Sequence, residues 1–178
     1  MPLPLHRLIQ SLDDRRCALL DELGTLGAAT LSTKPQPDRW SILEVVEHMI
    51  LAEKVILQGL PSRMDLVERP RSLRHRGLYI LVWLVLKSGL PVKVPSRRML
   101  PTGQLSLAEL RAAWDEHVRW LQAYVEGLEA GAHRKAFFVH PVAGPITLTQ
   151  ALRLDQLHLR THSRQISRLR SSQQRQNA

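Results

Sequence analysis

Cysteine is almost missing from this chain. Cys17 stands alone among 178 residues, which excludes a disulfide framework and every multi-cysteine zinc motif. Any metal must therefore be held by histidine and carboxylate. Aromatic residues are only 4% of the sequence, and no zinc-finger spacing, RNP-like segment or Gly-rich phosphate loop is present, so there is no strong nucleic-acid signal. Long hydrophobic runs are absent too. The longest, Leu78 to Leu86, has nine residues, far short of the roughly 20 that cross a bilayer. No transmembrane segment is expected, and this run should be buried or lie against something. The N-terminus lacks the cationic start and long apolar stretch of a secretory signal. With the single thiol, that points to a cytoplasmic protein.

What the chain does have is positive charge. Lys and Arg number 25 against 16 Asp and Glu, a formal net charge of +9. The excess is local: residues 61–105 hold 9 basic and 2 acidic groups, and residues 147–178 hold 6 and 1, while the remaining segments are slightly acidic. Solvated arginines on helix faces account for such a balance, and so does attraction of an anionic small molecule, nucleic acid or an anionic membrane surface.

The length fits one domain over residues 1–170, with the polar tail 171–178 frayed. Four segments read as amphipathic helices. The first spans about Leu3 to Leu26. The second opens at the capping box Ser41-Ile42-Leu43-Glu44 and runs to about Gly59. A third follows Ser106-Leu107-Ala108-Glu109 and carries Leu110, Trp114, Val118, Leu121, Val125 and Leu128 on one stripe. The last follows Thr147-Leu148-Thr149-Gln150 and reaches about Leu169. These signals predict an all-α fold. Residues 61–105, broken by Pro61, Pro70, Pro91, Pro95 and Pro101, are too long for a bundle turn and predict a crossover with a short extra helix near 78–86.

Eight histidines are present. His158 and His162 are four apart in a helix, so both imidazoles can reach one ion. The inward stripe of that helix is Leu148, Ala151 or Leu152, Asp155, His158 or Leu159, His162, Ile166 and Leu169, so Asp155 faces the core as well. His48 lies on the inward stripe Val45, His48, Leu51 or Ala52, and Val55 of the second helix. Three imidazoles on two inward faces can form a facial triad that leaves open positions, as catalytic zinc sites do. Three core histidines, each hydrogen-bonded separately, would give the same pattern.

Trp40-Ser41-Ile42-Leu43-Glu44-Val45-Val46-Glu47-His48 resembles the W-S-x-x-x-x-x-x-H opening of the second helix in the DinB/YfiT-like superfamily. His140-Pro141-Val142-Ala143-Gly144-Pro145, followed by His158-Leu159-Arg160-Thr161-His162-Ser163-Arg164-Gln165-Ile166, resembles that family's H-P-x-x-G turn and closing H-x3-H-x-x-Q-I helix. The resemblance implies a DinB-like four-helix bundle with unusual connections and a single divalent ion, zinc, nickel or a similar metal, held by His48, His158 and His162. Relatives include metal-dependent hydrolases and transferases that activate a low-molecular-weight thiol.

Either reaction suits a three-histidine ion. Asp155 is the candidate base or orienting carboxylate, with Glu47 read as solvated or paired with a neighbouring helix. His117 is expected as a satisfied core or boundary residue, with a place in the pocket lining as the alternative, His140 in a turn, and His6, His75 and His133 at the surface. The expected partner is a small molecule, an anionic substrate or a thiol, with a homodimer contact through 78–86 as a further expectation. A non-catalytic metal-binding bundle and a basic nucleic-acid or membrane module are the other readings.

Overall fold

The structure is a computed structural model that describes residues 3–63, 65–89 and 93–176. Its elements are α1 (Leu3–Gly24), α2 (Ala28–Ser32), α3 (Ile42–Gln58), α4 (Leu73–Ser88), a 3-10 turn at Arg97–Met99, α5 (Leu107–Glu126), a second 3-10 turn at Ala132–Arg134, strands β1 (Phe138–His140) and β2 (Gly144–Ile146), and α6 (Leu148–Gln176). α1 and α3 each pack on both α5 and α6, so the consecutive long helices α1 and α3 lie on opposite corners of a four-helix bundle. The crossover between α3 and α5 makes this order workable, because it lets α5 return between them.

Local chemistry explains where the helices begin. At Ser41 and Ser106 the serine hydroxyl accepts the N3 amide, and Glu44 or Glu109 accepts the serine amide in return. At Thr147 the hydroxyl accepts the Gln150 amide while Gln150 accepts from Thr147. Leu5, Leu20 and Leu23 of α1, Ile42, Val45 and Met49 of α3, Leu110 and Trp114 of α5, and Leu148 and Ile166 of α6 are almost wholly buried between the four helices.

Two expectations need correction. The crossover helix is α4, with 16 residues, not a short piece at 78–86. A fourth capping box starts it early, since His75 Nδ1 accepts the Ser72 amide where Glu or Gln would be expected. Gly89, at φ +67°, closes it in the left-handed conformation. The last helix also passes its expected end at Leu169 and reaches Gln176. It persists because Gln173 is buried and donates to the carbonyls of Thr30 and Thr33, fastening residues expected to fray. Residues 177 and 178 of the expected tail, and Pro91 of the crossover, lie outside the described residues.

The H-P-x-x-G segment forms a hairpin. β1 and β2 pair antiparallel with His140 opposite Gly144, and His140 Nδ1 accepts the amides of Val142 and Ala143, the turn role expected of it. Gly144 has φ +69° and lies so close to the His75 ring that a Cβ would stand 2.8 Å from it. Glycine is therefore required for both conformation and space.

Candidate metal centre

His48 of α3 and His158 and His162 of α6 converge, their potential ligand nitrogens all within 4.8 Å of one another. On α6 the four-residue spacing brings the two rings edge to face, with centroids 4.4 Å apart. The His48 ring stands 5.3 Å from that of His158 and 4.9 Å from that of His162. The packing of α3 on α6 thus adds the third imidazole to the two that α6 supplies.

Outward contacts orient the rings. His48 Nδ1 donates to the Met99 carbonyl at 2.8 Å, and His162 Nδ1 donates to Gln165 Oε1 at 2.8 Å. Both bonds place the proton on Nδ1 and leave Nε2 as a lone pair facing inward. Trp40 lies against His48 with ring centroids 4.8 Å apart. The chain just after Met99 is clamped to α3: the buried Glu47 accepts the Thr102 amide and hydroxyl through one oxygen and the Gly103 amide through the other. Glu47 is 4% exposed and bonded to the Thr102–Gly103 turn, neither solvated nor paired with a neighbouring helix as expected. It fastens the end of the crossover to α3, one residue away from His48.

The electrostatics favour uncharged imidazoles. Burial lowers the His48 pKa against the opposing effect of the Met99 bond. Burial, together with the other two rings, holds His158 well below the ordinary histidine range. His162 is lowered to about 4, by burial first and His48 beside it, although Gln165 pulls the other way. Neutral imidazole is the form that ligates metal.

The donor set fits a divalent ion. His158 and His162 bring their Nε2 atoms to 3.0 Å. With the His162 proton on Nδ1, that approach is favourable only with a proton on His158 Nε2 or a cation shared between the rings. Two nitrogens about 2.1 Å from one ion stand about 3.0 to 3.4 Å apart.

Asp155 belongs elsewhere. Among the described residues it makes no hydrogen bond to any of the three imidazoles. It lines a cavity of about 40 Å³ on the α1 and α5 side with Glu53, His117, Trp114 and Arg16. Glu53 Oε2 accepts from Trp114 Nε1 at 2.7 Å and lies 3.9 Å from His117 Nδ1. Burial raises the Glu53 pKa to about 7 against the Trp114 bond and Arg16. Burial, and then the Glu53 charge, holds Asp155 well above the carboxylate range. His117 Nδ1 is buried with no partner, and burial, Lys54 adding to it, lowers its pKa. Sequence reasoning missed Glu53, which falls off the inward stripe of α3 that holds His48 and Val55. A carboxylate five residues past His48, facing a helix that carries Asp155, was the available signal.

His6 is exposed, as expected. His75 caps α4 and packs on Gly144, and His133 lies in a 3-10 turn with its Nδ1 buried and unpartnered, so neither is a simple surface residue.

No helix among the described residues is long and apolar enough to cross a membrane. No curated protein matches the chain. Among solved structures it is similar to YfiT from Bacillus subtilis, described as a probable metal-dependent hydrolase with an unusual four-helix bundle topology. The two share 20% identity and a TM-score of 0.57, over 92% of this chain and 84% of that one. The diagonal placement of α1 and α3 is the feature of this fold that departs from a sequential up-and-down bundle. The family model of the DinB superfamily matches residues 11–166, and with the three-histidine cluster in place this chain belongs to the DinB superfamily.

Proposed function

We propose that the chain is a metal-dependent hydrolase holding one divalent ion, zinc or nickel, through His48, His158 and His162. The observation that supports this most directly is the convergence of three neutral imidazoles, two of them with Nδ1 already committed to an acceptor. When bound, an ion on three imidazoles and open positions polarises a carbonyl and brings the pKa of water towards about 7.

The residues of the chain have distinct tasks. Met99 and Gln165 fix ring orientation, Glu47 holds the Met99 turn in place, and Trp40 covers one face of His48. Arg97 and Arg98 are exposed in the same 3-10 turn as Met99, so their charge draws a small anionic substrate towards the centre. The same two cations favour a second reading, transfer of an anionic low-molecular-weight thiol. Asp155, turned into the Glu53 cavity, is left out of the proton transfers.

Protein purified without a histidine tag should contain about one divalent ion per chain by elemental analysis. His158→Ala with His162→Ala should remove it and leave the helical circular dichroism unchanged. Metal retained in the double variant refutes the site. Metal-dependent turnover of carboxylate-bearing aryl esters supports hydrolysis, and turnover only with added thiol supports transfer. An ion with neither activity identifies a non-catalytic metal-binding bundle.

A further inference from the structure

α4 is apolar on both sides but covered on one. Nine consecutive apolar residues run from Leu78 to Leu86, yet none of its residues is buried. Tyr79, Val82, Trp83 and Leu86 pack against the bundle. On the opposite side Leu73, Ile80, Leu81 and Leu84 are between 50% and 83% exposed. Positions 73, 77, 80, 81, 84 and 88 recur at helical spacing, so these four side chains, with Gly77 and Ser88, form one continuous strip. A contiguous exposed apolar strip of this size marks an interaction surface.

The charge around the strip selects the partner. On the helical wheel Arg76 and Lys87 border one edge and Arg74 the other, and all three are exposed. Lys87 also lies 4.6 Å above the Trp83 ring. Beside Lys87 a cleft of about 110 Å³ separates α4 from α6, lined by Leu86, Leu157, Thr161 and the cations Lys87, Arg160 and Arg164. Its floor is set by the Thr161 hydroxyl donating to the Leu86 carbonyl at 2.8 Å. Among the described residues no carboxylate lines it. A second copy of the chain docking strip to strip would bring these cations against their own kind. An anionic surface would meet all of them with opposite charge.

We propose that the outer face of α4 docks on an anionic lipid bilayer. The helix lies in the plane of the interface with Leu73, Ile80, Leu81 and Leu84 among the upper acyl segments. Arg74, Arg76, Lys87, Arg160 and Arg164 meet the headgroup phosphates, and the cleft receives one of them. This is interfacial binding by an amphipathic strip combined with a cationic rim, and it is independent of the histidine centre.

The test is sedimentation of the full chain with phosphatidylcholine vesicles, with and without roughly one-third phosphatidylglycerol. Binding to the anionic vesicles alone, weakening about tenfold or more between about 0.1 and 1 M salt, is the expected result. Ile80→Gln with Leu84→Gln should lower the partition coefficient about tenfold. Arg160→Gln with Arg164→Gln should lower it about fivefold per charge removed. All four side chains are already solvent-exposed, so unchanged circular dichroism will show that the variants fold. No sedimentation at low salt, equal binding to neutral vesicles, or binding unchanged in both double variants overturns the proposal. So does a dimer in light scattering that Ile80→Gln with Leu84→Gln dissociates, since a second copy would then be what covers the strip.

Discussion

Replacing Glu53 with glutamine should stabilise the protein, and chiefly at neutral and alkaline pH. The Glu53 side chain is 18% exposed, and its pKa is raised from 4.5 to about 7, chiefly by burial. A carboxylate raised in this way favours the folded state fully below its unfolded pKa, and that contribution is lost as the pH rises through about 7. A shift of about 2.5 units corresponds to about 3 kcal/mol lost between about pH 4.5 and 8. Glutamine keeps an oxygen for the Trp114 indole and never ionises. Removing the Glu53 charge also lets Asp155 ionise more readily, since that charge is one cause of its raised pKa. His162 titrates in the opposite sense: with its pKa lowered to about 4, its contribution is present above about 6.5 and lost as the pH falls towards 4. That slope is common to both proteins and drops out of their difference. Thermal melts of the metal-free proteins at about pH 5 and 8.5 should show a small gain for Glu53→Gln at the lower pH and a rise of about 6–12 °C at the higher. An equal gain at both pH values, or a loss at the higher, would refute the assignment of Glu53 as a buried, reluctantly ionised group.

Two further outcomes are expected. Gln165→Leu removes the acceptor that holds the His162 ring while adding no charge, so metal affinity measured by competition with a chromogenic chelator should fall about 10- to 100-fold. Unchanged affinity would show that helix geometry and packing set the ring without Gln165. Gly144→Ala forces a Cβ into a left-handed conformation and against His75, which should cost about 1–3 kcal/mol in a denaturant melt. Stability equal to the parent would mean that the hairpin does not bear on α4.

The parts legible in the sequence are those fixed by short-range chemistry. Ser41 with Glu44 and Ser106 with Glu109 announce helix starts because each pair closes on itself. His158 and His162 share a face because helix geometry puts them there. The meeting of His48 with that pair depends on how α3 packs on α6, which helical spacing alone cannot set, and there the family resemblance supplied the missing step. Where an atom type substitutes for the usual one, the signal fades: His75 capping α4 does not look like the Glu or Gln of a capping box. Groups defined by distant partners were hidden altogether. Glu47 reads as a surface acid until Thr102 and Gly103 fold back on it, and the end of α6 reads as frayed until Gln173 finds Thr30 and Thr33.

The three imidazoles come from two helices joined by half the chain. Two of them are present on α6 in any helical state of that segment, while the third arrives only with the tertiary packing of α3 and the return of the crossover at Met99. An ion bound there would act as a reversible staple, tying the second quarter of the chain to its last helix. Because only the folded chain offers all three nitrogens, an ion at 1,000 times its dissociation constant would add about 4 kcal/mol to folding, less whatever the α6 pair retains on its own. Loss of the ion would then loosen first the seam between α3 and α6, and with it the Arg97–Met99 turn that borders the centre.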